Sequence, residues 1–279
     1  MRGSKVMQIT QRLTVFALAL LPFAVQASDQ SARTAAAPPL PNAHAHNDYL
    51  HERPLHDALD FGFTSIEADI FLIEGQLLVA HSPLELHPER TLEQLYLKPL
   101  QQIAHRRNGR IFPKPQQLTL LIDIKNKGKQ TWVVLDQLLS KYDHLISQTI
   151  DGERVERAIT VIISGDRPMN EIAGSNPRRA GIDGRLSDLD SRHSADLMPL
   201  ISDHWGNHFK YQGSGEMTED ELKKLKNMTS QVHRSGRRIR FWATPESPDL
   251  WKRLRQNHVD LIGTDDLSQL SQFLSQASH

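Results

Sequence analysis

The chain has 279 residues, with 33 lysine and arginine residues against 33 aspartate and glutamate residues, 38% hydrophobic residues and no cysteine. The balanced charge gives no overall basic field for the phosphate backbone of a nucleic acid, so we expect a globular protein without a nucleic-acid partner. The absence of cysteine excludes disulfides, thiolate metal sites and a cysteine nucleophile, so histidine, carboxylates, lysine and hydroxyl groups must carry any chemistry.

The N-terminal segment has the features of a secretory signal peptide. Arg2 and Lys5 precede the apolar run Leu13–Val25, and the small residues that follow place cleavage after Ala27. The run is shorter than the roughly 20 apolar residues that span a bilayer, with an uncleaved anchor as the alternative. We therefore predict that the protein is secreted or periplasmic. The predicted divisions are a signal peptide over 1–27, a flexible leader over 28–41 and a single domain over 42–279.

The rest of the chain alternates short apolar or β-branched runs with segments of helical periodicity. Capping-box patterns at Thr91 and Thr218 predict helix starts, and Gly62 and Gly236 predict helix ends. Eight strands with helices between them match a (β/α)8 TIM barrel, with an open doubly wound sheet as the alternative. The predicted strands are Leu40–His46, Ser65–Leu72, Leu118–Ile124, Ile159–Ser164, Ala180–Arg185, Met198–Ser202, Arg238–Trp242 and Val259–Gly263. The predicted helices are Pro54–Phe61, Thr91–Arg107, Thr131–Tyr142, Thr218–Arg234 and Pro248–Asn257.

Polar side chains interrupt or follow the first three predicted strands at positions two residues apart. Residues two apart on a strand point to the same face, and active sites of barrels form at the carboxyl ends of the strands. We therefore expect these side chains, together with a histidine that ends a further short apolar run, to share one pocket. They are His44 and His46, Glu67 and Asp69, Asp123 and Lys125, and the single His81.

Three carboxylates in one pocket require a compensating cation, because like charges about 4 Å apart repel by about 4 kcal/mol at an effective dielectric constant near 20. The all-oxygen set of Glu67, Asp69 and Asp123 favours Mg²⁺ or Ca²⁺ over Zn²⁺. With Lys125 and a divalent cation the charges sum to zero, so a phosphodiester oxygen can enter. Two histidines with a pKa of about 6.5 suit the roles of base and acid. These residues predict a metal-dependent site that cleaves phosphodiesters.

Two other classes of protein remain open on these residues. Amidohydrolases and barrels of the polymerase-and-histidinol-phosphatase kind also begin with His-x-His, and here His204, His208 and Asp265 would complete a Zn²⁺ or Mn²⁺ site. A non-catalytic barrel that binds a phosphate or a lipid head group is the second alternative. Zinc that co-purifies with the protein would favour the first class, and ligand binding without product would favour the second.

Seven short motifs extend over nearly the whole chain after the predicted signal peptide. They are Ala45–Tyr49, Arg53–Leu55 with Ala58-Leu59, Gly62–Asp69, Leu78–His81, Ile122–Lys125, Arg240–Pro245 and Val259–Leu267. Together they resemble the superfamily of glycerophosphodiester phosphodiesterases and phosphatidylinositol-phospholipase-C-like enzymes. The closest resemblance is to the bacterial branch related to the fungal altered-inheritance-of-mitochondria proteins.

The resemblance implies a TIM barrel, metal-dependent cleavage of a phosphodiester and two catalytic histidines. By position these histidines are His46, with His44 as second choice, and His81. The implied metal ligands are Glu67, Asp69 and Asp123, and the residues assigned to substrate binding are His44, Asn47, Lys125 and Trp242.

Departures from the usual glycerophosphodiesterase pattern leave the head group of the substrate open. Asn47 stands where an arginine usually follows the first histidine, Ser82 stands where an aspartate usually partners the second, and Leu84–Gln117 is shorter than the metal-site insertion. We expect a small-molecule or lipid phosphodiester, choline phospholipids included. A lipid substrate would imply contact with a membrane surface. The aromatic residues considered for an apolar rim are Trp205, Phe209, Tyr211 and Trp251.

Overall fold

The computed structural model describes residues 37–276, so the predicted signal peptide and most of the predicted leader lie outside the described residues. The first strand begins at Leu40, inside the predicted leader range. The strands are β1 Leu40–Ala45, β2 Phe63–Ile73, β3 Gln76–Val79, β4 Leu118–Ile124, β5 Gln148–Ile150, β6 Glu153–Val155, β7 Ile159–Gly165, β8 Ala180–Gly184, β9 Leu200–His204, β10 Arg238–Trp242 and β11 Leu261–Thr264. The helices are α1 His56–Asp60, α2 Lys98–Arg106, α3 Gly128–Leu139, α4 Met169–Ala173, α5 Glu219–Arg234, α6 Pro248–Gln256 and α7 Leu267–Gln276.

Eight parallel strands of the described range close into a barrel in the order β1, β2, β4, β7, β8, β9, β10 and β11. Closure occurs at β1, which pairs in parallel with β2 on one side and with β11 on the other. This confirms the predicted (β/α)8 TIM barrel. The alternative of an open doubly wound sheet is wrong, because neither β1 nor β11 is left as an edge strand.

Two antiparallel additions lie outside the parallel barrel. β3 returns along the upper half of β2 after a tight turn at Glu74-Gly75, where both residues have positive φ. β5 and β6 form a separate hairpin between α3 and β7. The first addition matters for function because it brings the residue after β3 back to the carboxyl end of the barrel.

The predicted caps are largely found where the sequence places them. At the start of α5, Thr218 Oγ1 accepts a hydrogen bond from the Glu221 amide at 3.2 Å, and Glu221 reaches back to the Thr218 amide. Thr91 Oγ1 accepts a hydrogen bond from the Gln94 amide at 3.2 Å. Gly236 follows α5 with a φ of +74°, as expected for a helix-terminating glycine.

Local sequence explains where the helices depart from the prediction. The helix predicted over Thr91–Arg107 contains a π-helical turn at Glu93–Leu97 before it continues as α2. Pro99 has no N–H to donate to the Leu95 carbonyl, which disfavours regular α-helical bonding at this point. Between β8 and β9 the chain makes a 3₁₀ turn at Leu186–Asp188 in place of a full helix, where the helical signal of the sequence is weak.

The core is filled by side chains from the barrel strands and from the inner faces of the helices. The four aromatic residues considered for an exposed rim are part of this core, since Trp205 and Trp251 are fully buried and Phe209 and Tyr211 nearly so. Trp205 stacks on Phe209 with ring centroids 4.1 Å apart. The core role expected for at least two of them therefore applies to all four, and they do not form a rim. Among the described residues, no helix has the length and apolar character needed to cross a membrane.

Replacement of Gly62 by alanine is expected to destabilise the barrel more than a matched change at Gly75. Gly62 has a φ of +81°, and an added Cβ would lie 2.3 Å from the Pro38 carbonyl oxygen. Gly75 has a similar φ of +80° but nothing within 4 Å of an added Cβ. We expect Gly75→Ala to lose about 1–2 kcal/mol through backbone strain alone, and Gly62→Ala to lose about 2–4 kcal/mol. Urea unfolding measures both losses, and equal losses would contradict the predicted contact with Pro38.

Candidate active site

The three predicted carboxylates lie together at the carboxyl end of the barrel. Asp69 on β2 is the direct register partner of Asp123 on β4, and Glu67 precedes Asp69 by two residues on the same face. One oxygen atom from each of the three carboxylates lies within 4.8 Å of the others. Glu67 and Asp69 are buried and Asp123 is partly buried. The predicted convergence of these groups is therefore present.

Lys125 lies between two of these carboxylates. Its Nζ is 2.9 Å from Asp69 Oδ2 and 3.1 Å from Asp123 Oδ1. Burial opposes its charge, but the charges of Asp123 and Asp69 outweigh this and raise the pKa of Lys125. Burial raises the pKa of Asp123 to about 6, and the charges of Asp69 and Glu67 add to this effect. One lysine thus leaves part of the carboxylate charge uncompensated.

The carboxylates fit a hard divalent cation. Asp69 Oδ1 is buried and has no hydrogen-bond partner among the described residues. A buried carboxylate oxygen without a donor is costly unless something else satisfies it. The described hydrogen bonds of Glu67 all go to Oε2, which leaves Oε1 to act as a ligand. Oxygen donors of this kind are those that Mg²⁺ and Ca²⁺ prefer.

Arg240 on β10 is a member of the site that the sequence reasoning did not select. Its Nη1 donates to Glu67 Oε2 at 3.0 Å and also contacts His44 Nε2. Burial opposes the charge of Glu67, but Arg240 and His44 outweigh it and lower the pKa of Glu67 well below its usual range. The sequence did contain an indication that Arg240 belongs to the site. It lies two residues before Trp242, which was assigned to substrate binding, and therefore on the same face of β10.

His44 lies beneath the pocket. Its Nε2 is 2.9 Å from Glu67 Oε2 and its Nδ1 is 2.8 Å from Ser65 Oγ. Burial, with the nearby Arg240 charge, lowers the pKa of His44 to about 4, so the ring is neutral near pH 7. The side chain has no exposed surface. The geometry makes His44 a partner that orients Glu67, and its predicted contact with the substrate stays a prediction.

His81 is held beside Asp69 by the β2–β3 hairpin. The Ala80 amide donates to the Asp69 carbonyl, and the next residue places its Nδ1 3.8 Å from Asp69 Oδ2. The His81 side chain is 56% exposed, so it can reach a substrate. Tyr49 Oη lies 2.6 Å from Asp69 Oδ2 and 3.3 Å from His81 Nδ1. Tyr49 thus connects the two groups, and it entered the sequence analysis only as part of a motif.

His46 approaches the pocket from the end of β1. Its Nδ1 is 2.8 Å from Asp265 Oδ1 and 3.0 Å from Asn47 Nδ2, and its side chain is 38% exposed. Burial opposes the charged ring, but the hydrogen bond to Asp265 and the charges of Glu67 and Asp265 raise the pKa of His46. Asn47 has a φ of +48°, a left-handed conformation that asparagine tolerates better than most residues. Its Oδ1 lies 2.8 Å from Tyr49 Oη, so Asn47 links both sides of the pocket.

Trp242 lies at the rim of the pocket, as its predicted role requires. It is 39% exposed, and its ring meets the edge of His204 with centroids 4.5 Å apart. Together with His46 and Arg240 it lines a cavity of about 50 Å³.

The histidine-rich metal site of the amidohydrolase alternative does not form. Glu67, Asp69 and Asp123 are called the acidic triad below. Among residues 37–276, they form the one group of at least three possible ligand side chains that lie close enough together to hold an ion. His44 faces Ser65 and Glu67, and His204 packs on Trp242. His208 Nε2 lies 3.4 Å from Asp203 Oδ2. These histidines therefore point to separate partners.

Residues 34–182, more than half of the chain, match the AIM6-like phosphodiesterase domain. The chain belongs to this family. The altered inheritance of mitochondria protein 6 homolog of Arthroderma benhamiae is 28% identical over 264 residues, which cover 82% of each chain. This relationship confirms the resemblance seen in the motifs.

Two solved structures share the fold of this family member at low sequence identity. A glycerophosphodiester phosphodiesterase from Parabacteroides distasonis has a TM-score of 0.56 and 15% identity, covering 87% of this chain and 100% of that one. A calcium-dependent phosphoinositol-specific phospholipase C from a Pseudomonas species has a TM-score of 0.51 and 12% identity, covering 84% and 92%. At these identities the likeness extends to the TIM-barrel fold.

Addition of Ca²⁺ or Mg²⁺ is expected to raise the melting temperature of the protein. A ligand that binds only the folded state stabilises it by about 2.7 kcal/mol at 100 times its Kd. Asp69→Asn and Asp123→Asn should remove most of this increase, because each deletes a charged ligand of the cation. The control is Glu153→Gln on the separate β5–β6 hairpin. A melting temperature of Asp69→Asn that still rises as much as that of the wild type would contradict the assignment.

Proposed function

We propose that the protein is an exported phosphoric diester hydrolase that uses a carboxylate-bound divalent cation and the histidine pair His46 and His81. The observation that carries this proposal is the convergence of the acidic triad with two accessible histidines on one barrel mouth. The AIM6-like phosphodiesterase domain supports the reaction class. Export rests on the signal-peptide pattern of residues 1–27.

Charge balance favours a phosphodiester as the substrate. The three carboxylates, Lys125, Arg240 and a divalent cation together carry a net charge of +1, one more than the sequence predicted, because Arg240 adds a positive charge. A phosphodiester carries one negative charge, so its binding would neutralise the pocket. Lys125 Nζ already lies between Asp69 and Asp123 and would donate to a non-bridging oxygen of the substrate. The bound cation would supply Lewis-acid polarisation of the phosphoryl group.

The two histidines have different surroundings, which favour different roles. Asp265 and the charge of Glu67 stabilise protonated His46, so His46 suits the acid that protonates the leaving oxygen. His81 is more exposed and lies beside Asp69 and Tyr49, which orient its ring. His81 therefore suits the base that removes a proton from the water molecule that attacks phosphorus. Asn47 accepts a hydrogen bond from Tyr49 through Oδ1 and donates through Nδ2 to Asp265, the partner of His46, so it is a positioning residue in this scheme.

The substrate is proposed to be a small-molecule or lipid phosphodiester, and the cation to be Mg²⁺ or Ca²⁺. These ions take six to eight oxygen ligands. One ionised glutamate and two aspartates would provide some of these oxygens, and water molecules would provide the rest. Trp242 at the rim offers an aromatic surface to the alcohol portion of the substrate. For a lipid substrate the same rim would meet the membrane surface.

Turnover of bis(4-nitrophenyl) phosphate and related chromogenic diesters tests the proposed function. The protein without residues 1–27 should release nitrophenol with Mg²⁺ or Ca²⁺ and stop when a chelator is added. Loss of the general base should lower kcat by about 10²–10⁴-fold in His81→Ala. His46→Ala should lose less on these diesters, because 4-nitrophenolate leaves with little need for protonation by an acid. His105→Ala is the matched control, because this exposed histidine lies at the end of α2. Fully active His81→Ala, or no turnover of several diesters with either cation, would overturn the proposal.

Asp265→Asn is expected to lower the pKa of His46 and to shift the pH profile. Loss of the Asp265 charge removes a group that favours the protonated ring, so a smaller fraction of His46 is protonated near neutral pH. If His46 acts as the acid, the alkaline limb of kcat/KM moves to lower pH. Histidine titration by NMR measures the pKa directly. Asp203→Asn, next to His208, is the control, and an unchanged His46 titration in Asp265→Asn would refute the link.

A further inference from the structure

A second polar cluster continues around the barrel mouth from the acidic triad. Ser164 on β7 is the register partner of Asp123, and its Oγ donates to Asp183 Oδ2 on β8 at 2.9 Å. Asp183 is 1% exposed, and its Oδ1 has no hydrogen-bond partner among the described residues. The triad and this cluster thus occupy four successive strands of the barrel, β2, β4, β7 and β8.

Two arginines follow these strands and lie side by side. Arg185 Nη1 donates to Asp183 Oδ2 at 3.0 Å and to the Asp183 carbonyl at 3.1 Å. Arg167 Nη1 contacts the same Asp183 carbonyl. Because both guanidinium groups share one acceptor, they are neighbours at the carboxyl ends of β7 and β8.

The two guanidinium groups have hydrogen-bond donors to spare. Their described contacts, including that of Arg167 with Asp188 at 3.8 Å, are made through Nη1. Nε and Nη2 of each side chain therefore remain for other acceptors. The side chains are 17% and 26% exposed, so these donors are confined but reachable. Burial is the main cause that lowers the pKa of Arg167, and the charge of the neighbouring Arg185 adds to it.

The position of the pair sets the distance to the reacting phosphate. Neighbouring strands lie about 4.8 Å apart, so the backbones of β7 and β8 lie about 5 and 10 Å from that of β4. The diester phosphate would be held over the triad by Lys125. A second group a few bonds away on the same substrate would then lie near Arg167 and Arg185. Planar guanidinium groups with free N–H donors match the oxygens of a phosphate.

We propose that Arg167 and Arg185 form a subsite for a second phosphate group, carried on the alcohol of the phosphodiester that the protein cleaves. The identity of the cleaved bond rests on the proposed function, whereas the binding of the second phosphate does not. The substrate class is therefore a phosphodiester of a phosphorylated polyol, as opposed to one of a neutral or cationic alcohol.

Calorimetry on the protein with bound Mg²⁺ tests the subsite without turnover. The probes are glycerol 1,3-bisphosphate and glycerol 1-phosphate. The wild type should bind the bisphosphate at least about 10-fold more tightly, as expected for added charge-assisted hydrogen bonds. Arg167→Gln and Arg185→Gln should abolish this preference. Arg234→Gln, at the end of α5 and four residues before β10 begins, lies near the amino ends of the strands and should keep it. Equal binding of both probes by the wild type, or a preference that survives in Arg167→Gln, would overturn the subsite.

Kinetics distinguish failure of the subsite from failure of the proposed function. The substrates are 4-nitrophenyl diesters of glycerol phosphate and of the same glycerol with a terminal phosphate. Arg167→Gln should lower kcat/KM for the phosphorylated substrate by about 10–100-fold and for the other by less than about 3-fold. Equal losses would refute the subsite. Cleavage of neither substrate would refute the proposed function, and the calorimetric preference then decides the subsite alone. If Arg167→Gln melts well below the wild type, Arg167→Lys supplies the same comparison.

Discussion

Repulsion among three carboxylates at neighbouring register positions is the constraint on which the rest of the site depends. Glu67, Asp69 and Asp123 present oxygens within 4.8 Å of one another in a pocket that excludes most solvent. In such surroundings two like charges about 4 Å apart repel by about 4 kcal/mol even with substantial screening. Positively charged side chains from different strands therefore have to contact the triad. Each of them affects the pKa values of different carboxylates.

The compensation comes from two opposite sides. The charge of Arg240 on β10 and a hydrogen bond to the neutral His44 ring on β1 lower the pKa of Glu67 and keep it ionised despite burial. Lys125 contacts Asp69 and Asp123 from above, yet burial still raises the pKa of Asp123 to about 6. Glu67 is thus ionised in advance, and the two aspartates complete their ionisation when a cation binds. A buried arginine that fixes one ligand in advance reduces the rearrangement that cation binding requires.

The sequence was sufficient for the fold and for much of the site, because both follow from strand periodicity. Polar pairs at strand ends predicted the positions of the triad and of Lys125, and the parallel barrel brings them together. It was insufficient for Arg240, whose pairing with Glu67 joins residues 173 positions apart and depends on barrel closure. The β5–β6 hairpin was missed although Asp151-Gly152, both with positive φ, is the dipeptide that favours such turns. His81 reaches Asp69 because the β2–β3 hairpin, which lies outside the parallel barrel, folds back along β2. The sequence predicted that His81 follows a short strand, but not that this strand pairs with β2.

The asparagine after His46 changes where positive charge is found around the mouth. In the resembling phosphodiesterases an arginine usually stands at this position, whereas Asn47 here donates to Asp265, the partner of His46, and accepts from Tyr49. The β1 side of the pocket therefore lacks a free cationic side chain, since Arg240 is buried against Glu67. Arg167 and Arg185 lie on the β7 and β8 side instead, with donors unused. A phosphate-bearing substrate would then be oriented with its phosphorylated alcohol toward β7 and β8, and its other ester group would lie toward Trp242 and the acid His46.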